Sequence, residues 1–365
     1  MTSDEGLYPF ELSEEQESRA ARLHRESVVF DACILSGNAE YPEYTAEFLD
    51  GGVNGGILTV AHFDHNFVRG MDAVLRFRKL IADRAETLLL ATTPEDILAA
   101  KRTGRLGLFL GFQDTKPIED NLEYLHAFYQ LGVRMVQLTY NSQNFVGSGC
   151  CERHYGGLTH FGRELVREMN RLGVAIDLSH CSDETTMDAI QYSEKPVFFS
   201  HSNTRAVCPA YGRNKTDDQI KALVERGGVI GVVFSPTHIK RDAEHRLLHG
   251  SVDDVLNHLD HIVQVVGPSH VGFGSDLFSR VGRSGTPLPA WLRRWRHLRP
   301  DVFGQDISET WESRPEGLQN GRQLINLTRG LVARGYTDNE IKGFLGGNFL
   351  RALSIAWNLS PALVA

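Results

Sequence analysis

Short apolar runs rich in β-branched residues alternate with longer amphipathic stretches from residue 28 to residue 276. The alternation predicts repeated βα units around a parallel sheet. Eight runs read as strands: 28–33, 56–62, 106–113, 134–140, 174–180, 196–201, 228–234 and 270–276. Several follow Gly-containing turns and are nearly all apolar, as strands covered on both faces should be. Between them, 117–131, 159–172, 183–192, 216–225 and 252–266 repeat apolar positions with a helical period, and Ser182 or Asp183 is placed to cap the third. An acidic helical lead-in (13–25) precedes the first strand. Helices resume at 318–334 and 338–345, and Gly346-Gly347-Asn348 leads into a last one. Eight units of this kind predict a closed α/β barrel of the (β/α)8, or TIM-barrel, class. Residues 277 to about 314 are rich in Arg, Trp, Pro and Gly with no period, and predict a long loop over the barrel mouth. One barrel domain is expected over 1–365, with 1–27 as its lead-in.

Composition narrows the partners. A chain of 365 residues that is 41% hydrophobic can bury a large core. Net charge is −8 and the basic residues are scattered, so there is no electrostatic footprint for nucleic acid or an anionic membrane. A small-molecule substrate is expected instead. The acidic start, Met1-Thr2-Ser3-Asp4-Glu5, does not read as a secretory signal, and no apolar run is long enough to span a bilayer. Five cysteines without paired spacing fit a reducing cytoplasm better than a disulfide framework.

The candidate chemistry stands at the carboxyl ends of the predicted strands. Two runs end in histidine, Asp177-Leu178-Ser179-His180 and Ser200-His201, and a third ends in Gly274-Ser275-Asp276. Strand ends of an α/β barrel converge on one mouth, so two imidazoles and a carboxylate placed there can hold a divalent metal and serve a metallohydrolase.

Gly156-Gly157-Leu158-Thr159-His160-Phe161-Gly162-Arg163-Glu164, Met169-Asn170-Arg171-Leu172-Gly173, Asp177-Leu178-Ser179-His180, Ser200-His201-Ser202, Arg213-Asn214, Gly274-Ser275-Asp276 and Gly346-Gly347-Asn348 together resemble the membrane (renal) dipeptidase family of the amidohydrolase superfamily, in order and spacing. The resemblance implies a metal-dependent-hydrolase barrel and, in typical members, two zinc ions that activate a water to cleave dipeptides. It implies His180 and His201 as ligands of one metal, Arg213 as the partner of the substrate carboxylate, and Asp276 as the group that handles the water's proton. It also suggests a homodimer.

The departures from the family matter as much. Where its first strand ends in Asp-Gly-His-Asn-Asp, this chain has Asp31-Ala32-Cys33-Ile34-Leu35, so the His-x-Asp pair becomes Cys33 and Leu35. The bridging glutamate falls on Gln113, a neutral amide that cannot screen two cations held close together. The histidine after strand four becomes Tyr140. A single Zn2+ is therefore expected, with the second site absent.

Several residues stay open. Gln113 reads equally as a neutral ligand, a substrate hydrogen-bonder or a structural amide. Cys33 reads as a buried thiol or a thiolate ligand. His62 and Asp64 offer an alternative His-x-Asp or an exposed polar loop. Arg213 reads as a carboxylate clamp or a surface arginine. Tyr140 supplies a hydroxyl able to polarise a carbonyl, with Asn141 beside it as a substrate contact. Cys150-Cys151 reads as pocket lining rather than ligation. The leading expectation is a divergent one-metal hydrolase of dipeptides, small carboxylate-bearing amides or lactams. The alternatives are a barrel that binds a metabolite without metal chemistry, and a metal-poor lyase or isomerase using Asp276 and Tyr140.

Overall fold

The apolar runs pair side by side. The computed structural model describes residues 6–154, 156–209, 212–242, 246–277, 290–300 and 314–359. Among them nine strands form one parallel sheet: β1 Val29–Leu35, β2 Val53–Ala61, β3 Leu88–Leu90, β4 Leu106–Phe112, β5 Val133–Gln137, β6 Ala175–Asp177, β7 Val197–Phe199, β8 Val229–Val232 and β9 Val271–Phe273. Eight follow one another in the order β1-β2-β4-β5-β6-β7-β8-β9. Between β9 and β1 the ring is drawn together by single bonds: the Asp276 amide donates to the Cys33 carbonyl at 3.2 Å, and Asp31 accepts from the amide and hydroxyl of Ser275. This is the expected (β/α)8 barrel.

The structure corrects several boundaries. β3 was not expected; its three leucines pair with the first half of β4, Leu88 against Leu106, on the edge that β5 takes over at Leu110. A three-residue apolar run carries no period that tells strand from helix. The strand expected over 174–180 ends at Asp177, and that over 196–201 ends at Phe199, because the polar residues beyond them leave the ladder for side-chain hydrogen bonds. Helices Leu122–Gln130, His160–Leu172, Asp183–Tyr192, Asp217–Glu225 and Val252–Val266 lie within the stretches expected for them. Thr159, Ser182, Thr216 and Ser251 cap the last four by accepting backbone N–H groups. The helix expected over 318–334 divides into a 3-10 turn, Gly321–Leu324, and a helix, Ile325–Ala333. Within the segment read as a loop, Ala290–Leu298 is helical. Residues 278–289 and 301–313 of that segment lie outside the described residues.

The amino-terminal end of the barrel is closed. Helix Asn348–Ala356 is tied to the start of β9 by Asn348, whose Nδ2 donates to the carbonyls of Pro268 and Val271, both at 2.8 Å. Phe349, Leu353 and Trp357 then pack among Phe30, Phe109, Met135 and Phe198 in the barrel interior. Polar chemistry is left to the other end. No helix among the described residues is long and apolar enough to cross a membrane.

Candidate functional site

The strand ends that the sequence singled out do converge, and two Asp–Ser pairs shape the turns. Asp177, the last residue of β6, accepts from the amide and hydroxyl of Ser179 and from the amide and hydroxyl of Ser200 on the neighbouring strand, at 2.7–3.1 Å. Four donors on one buried carboxylate fix both chain exits and aim His180 and His201 toward each other. The device recurs across the barrel. Asp31 of β1 accepts from the amide of Cys33, two residues on, and from Ser275 after β9. β1 bulges between Asp31 and Ile34, which turns Cys33 into the interior. A Cβ at Gly56 would lie 2.1 Å from the Asp31 carbonyl oxygen, so the strand beside the bulge needs a glycine.

The imidazoles meet nose to nose, with Nε2 of His180 3.0 Å from Nε2 of His201. Their outer nitrogens decide the tautomers. Nδ1 of His180 lies 2.8 Å from Oδ1 of Asn141, a carbonyl that can only accept. Nδ1 of His201 lies 2.6 Å from the Ser200 hydroxyl, which has spent its own proton on Asp177 and is left to accept. Each ring therefore carries its proton on Nδ1 and turns a lone pair inward on Nε2. Burial first, and the Arg213 charge second, push both rings well below the ordinary histidine pKa, so a proton shared between them is disfavoured. Two acceptors at hydrogen-bond distance repel unless a cation lies between them. On a tetrahedral divalent ion, two imidazole nitrogens stand about 3.3 Å apart. A few tenths of an ångström of opening admits one, and both outer nitrogens already have the partners that metal-bound histidines require.

Around this pair the chain places further groups. Tyr140 stacks on His180 at 4.1 Å between ring centroids, and Phe63 stacks on the far face of Tyr140 at 4.8 Å. Burial and Asp276 raise the Tyr140 pKa, so its hydroxyl keeps its proton. Arg213 is 1% exposed, which removes the surface alternative. Its Nη1 donates to the Ser202 hydroxyl at 2.9 Å and to the Ser179 carbonyl at 3.3 Å, and its Nε is buried with no hydrogen-bond partner among the described residues. Asn141 Nδ2 is buried in the same condition. Cys150 and Cys151 are buried; the Cys150 amide donates to the His180 carbonyl, and its thiol faces Asn141 Oδ1 at 3.5 Å.

The substituted positions form a neutral cluster. The Cys33 thiol stands 3.8 Å from Oδ1 of Asp276 and 3.6 Å from Nε2 of Gln113. Burial, then Asp276 and Asp31, push the Cys33 pKa well up, so it remains a thiol. Burial also raises the pKa of Asp276, against the lowering effects of Arg213 and Arg314. A small cavity with room for about one water lies beneath, lined by Cys33, Gln113, Asp177, Ser200 and His201 among others. His62 faces the Ser36 hydroxyl at 3.4 Å, while Asp64 is exposed and paired with Arg69 at 3.2 Å. Among the described residues, no three His, Cys, Asp or Glu side chains gather around a common point.

The sequence alone did not single out Asp177, Ser200, His238 or Arg314. His238, after β8, is buried, with Nδ1 unpartnered among the described residues and Nε2 3.0 Å from the Thr237 hydroxyl. Its pKa is held well down by burial and by the Arg213 charge. The Asp-x-Ser spacing was a legible signal for Asp177, since an aspartate two residues before a serine favours a local turn. Nothing local marks His238.

Comparison with known proteins follows the same lines. A family model described as membrane dipeptidase, peptidase family M19, matches residues 19–283. An uncharacterised dipeptidase of Schizosaccharomyces pombe is 31% identical over 298 residues, which cover 78% of this chain and 63% of that protein. Dipeptidase tcpJ of Claviceps purpurea is 29% identical over 285 residues, covering 78% of this chain and 58% of that protein. The chain thus spans about three fifths of the length of these two relatives. Among solved structures, an amidohydrolase from Pseudomonas aeruginosa superposes with a TM-score of 0.81 at 30% identity, covering 93% of this chain and 99% of that one.

Proposed function

Because the chain belongs to the membrane dipeptidase family, peptidase family M19, we propose that it is a hydrolase using one divalent metal ion, Zn2+, held by His180 and His201, and that it cleaves the amide bond of a dipeptide or of a small carboxylate-bearing amide or lactam. The observation that carries this reading is the pair of inward Nε2 lone pairs 3.0 Å apart. Such an ion supplies Lewis acidity and lowers the pKa of a water.

The chain's own residues supply the rest. Asn141 and Ser200 hold the ligand tautomers. Arg213, buried and with Nε unsatisfied, meets the substrate carboxylate. The protonated Tyr140 hydroxyl donates to the scissile carbonyl oxygen as charge develops there. Asp276 takes a proton from the attacking water and returns it to the leaving nitrogen. A second ion is not expected, because Cys33 stays protonated and the Gln113 amide turns its NH2 toward that thiol. Neither offers the anion that would screen two neighbouring cations.

The test is hydrolysis of a panel of dipeptides, N-acyl amino acids and cyclic amides before and after exhaustive chelation. Activity should fall to background and return with one equivalent of Zn2+, a second equivalent adding nothing. Hydrolysis that survives complete metal removal would overturn the metal's role, and a chain that retains no metal and hydrolyses nothing would favour a metabolite-binding barrel.

A further inference from the structure

Asp276 is built on an unusual backbone. Its φ is 51°, in the left-handed region that non-glycine residues avoid and aspartate tolerates better than most. Both neighbours are pinned: Ser275 by Asp31, and Leu277 through its carbonyl, which accepts from Asn38 Nδ2 at 2.6 Å. The Asp276 amide donates to the Cys33 carbonyl at 3.2 Å. The Asp276 carbonyl accepts from Nη1 of Arg314 at 3.3 Å, across the mouth segment from the residue it contacts.

Arg314 is itself fixed from the following residues. Glu316 bridges to Ser251 in parallel, its amide donating to the Gly250 carbonyl at 2.9 Å and its carbonyl accepting from Val252 at 2.8 Å. Leu318 is fully buried. The guanidinium is therefore delivered to the rim of β9 by an anchored stretch of chain. It does two things there: it bonds the carbonyl of the residue held in the left-handed conformation, and it places positive charge near the carboxylate, an effect that opposes burial.

We propose that Arg314 is a positioning residue for Asp276, holding the left-handed turn that directs the carboxylate into the site. Returning Asp276 to an ordinary φ would swing its Cα–Cβ bond away from Cys33 and the histidine pair. The inference rests on the hydrolase reading given above, in which Asp276 moves the proton. Misplacement of a reacting group by about 1 Å can cost on the order of a hundredfold in rate.

The test uses the full chain loaded with Zn2+ and five variants: Arg314→Ala, Arg314→Lys, Arg314→Gln, Asp276→Asn, and Asp276→Asn with Arg314→Ala. Arg314→Ala should lower kcat by roughly tenfold or more, with KM, zinc content and melting temperature near those of the parent chain. Arg314→Lys, which keeps the charge and a donor, should recover part of the loss. In the Asp276→Asn background, Arg314→Ala should cost nothing further, because residues acting through one group are not additive. An unchanged kcat in Arg314→Ala, or losses that multiply in the double variant, would overturn the inference. If Arg314→Ala does not fold, the lysine and glutamine variants decide: partial activity in both supports the inference, and full activity in both would overturn it. If Asp276→Asn alone retains full activity, it is the hydrolase reading that fails.

Discussion

Replacing His201 with alanine is expected to strip the chain of its metal and lower amide hydrolysis by roughly 10³-fold or more. Neither imidazole has a duty in the fold that demands its inward nitrogen. The Asp177 hub holds the strand ends through serines, and it survives the substitution because Ser179 and Ser200 donate to it through their own amides and hydroxyls. What disappears is one of the two lone pairs on which an ion would sit. Zinc should accordingly stabilise the parent chain against heat, by about 4 kcal/mol at a thousandfold excess over Kd, and should not stabilise the variant. Melting curves with and without added zinc, run beside a metal assay, separate loss of the ion from loss of the fold. A variant that binds zinc as tightly as the parent would place the ion elsewhere.

Asp276→Asn is expected to retain the metal and the fold while kcat/KM falls by roughly 10² to 10⁴. Asparagine keeps the size of the side chain and its acceptor oxygen but cannot take a proton. The parent's pH profile should carry an acid limb belonging to this carboxyl. Burial raises its pKa above the ordinary aspartate value, with Arg213 and Arg314 pulling the other way. Activity therefore rises with pH as Asp276 loses its proton. In the variant that limb should vanish. A variant profile that keeps the same acid limb would assign it to a different group.

The barrel was legible because parallel strands buried on both faces must be apolar along their length, and residues 106–112 or 197–199 satisfy that with hardly a polar side chain. Helix starts were legible where a cap was present, as at Thr159 and Ser182. Strand ends were read too far, since Ser179, His180, Ser200 and His201 look like continuations until the hydrogen bonds to Asp177 are seen. The site was legible in the types of its residues and not in its wiring. That Asn141 fixes the tautomer of His180 depends on a loop returning from β5, and that Arg213 is buried depends on packing around Ser179 and Ser202. Arg314 lies 38 residues from the carbonyl it reaches, across a stretch with no period, so no local signal announces it.

The positions that depart from the family's pattern carry no charge of their own. Leu35 and the Gln113 amide are neutral, and Cys33 is kept protonated by burial beside Asp276 and Asp31. With the single ion proposed above between two neutral imidazoles, the negative charge of a substrate would be met by Arg213 rather than by a second metal. Such a centre would discriminate by carboxylate and carbonyl geometry, which is why cyclic amides and N-acyl amino acids belong beside dipeptides in the substrate panel.

The most direct measurement is X-ray absorption at the zinc edge on the zinc-loaded chain, combined with the zinc-to-protein ratio. One zinc per chain is predicted, with two imidazole nitrogens at about 2.0 Å and no metal scatterer at 3.5–4 Å. A spectrum without imidazole scattering, a zinc–zinc vector, or protein that holds no zinc in excess metal would contradict the account.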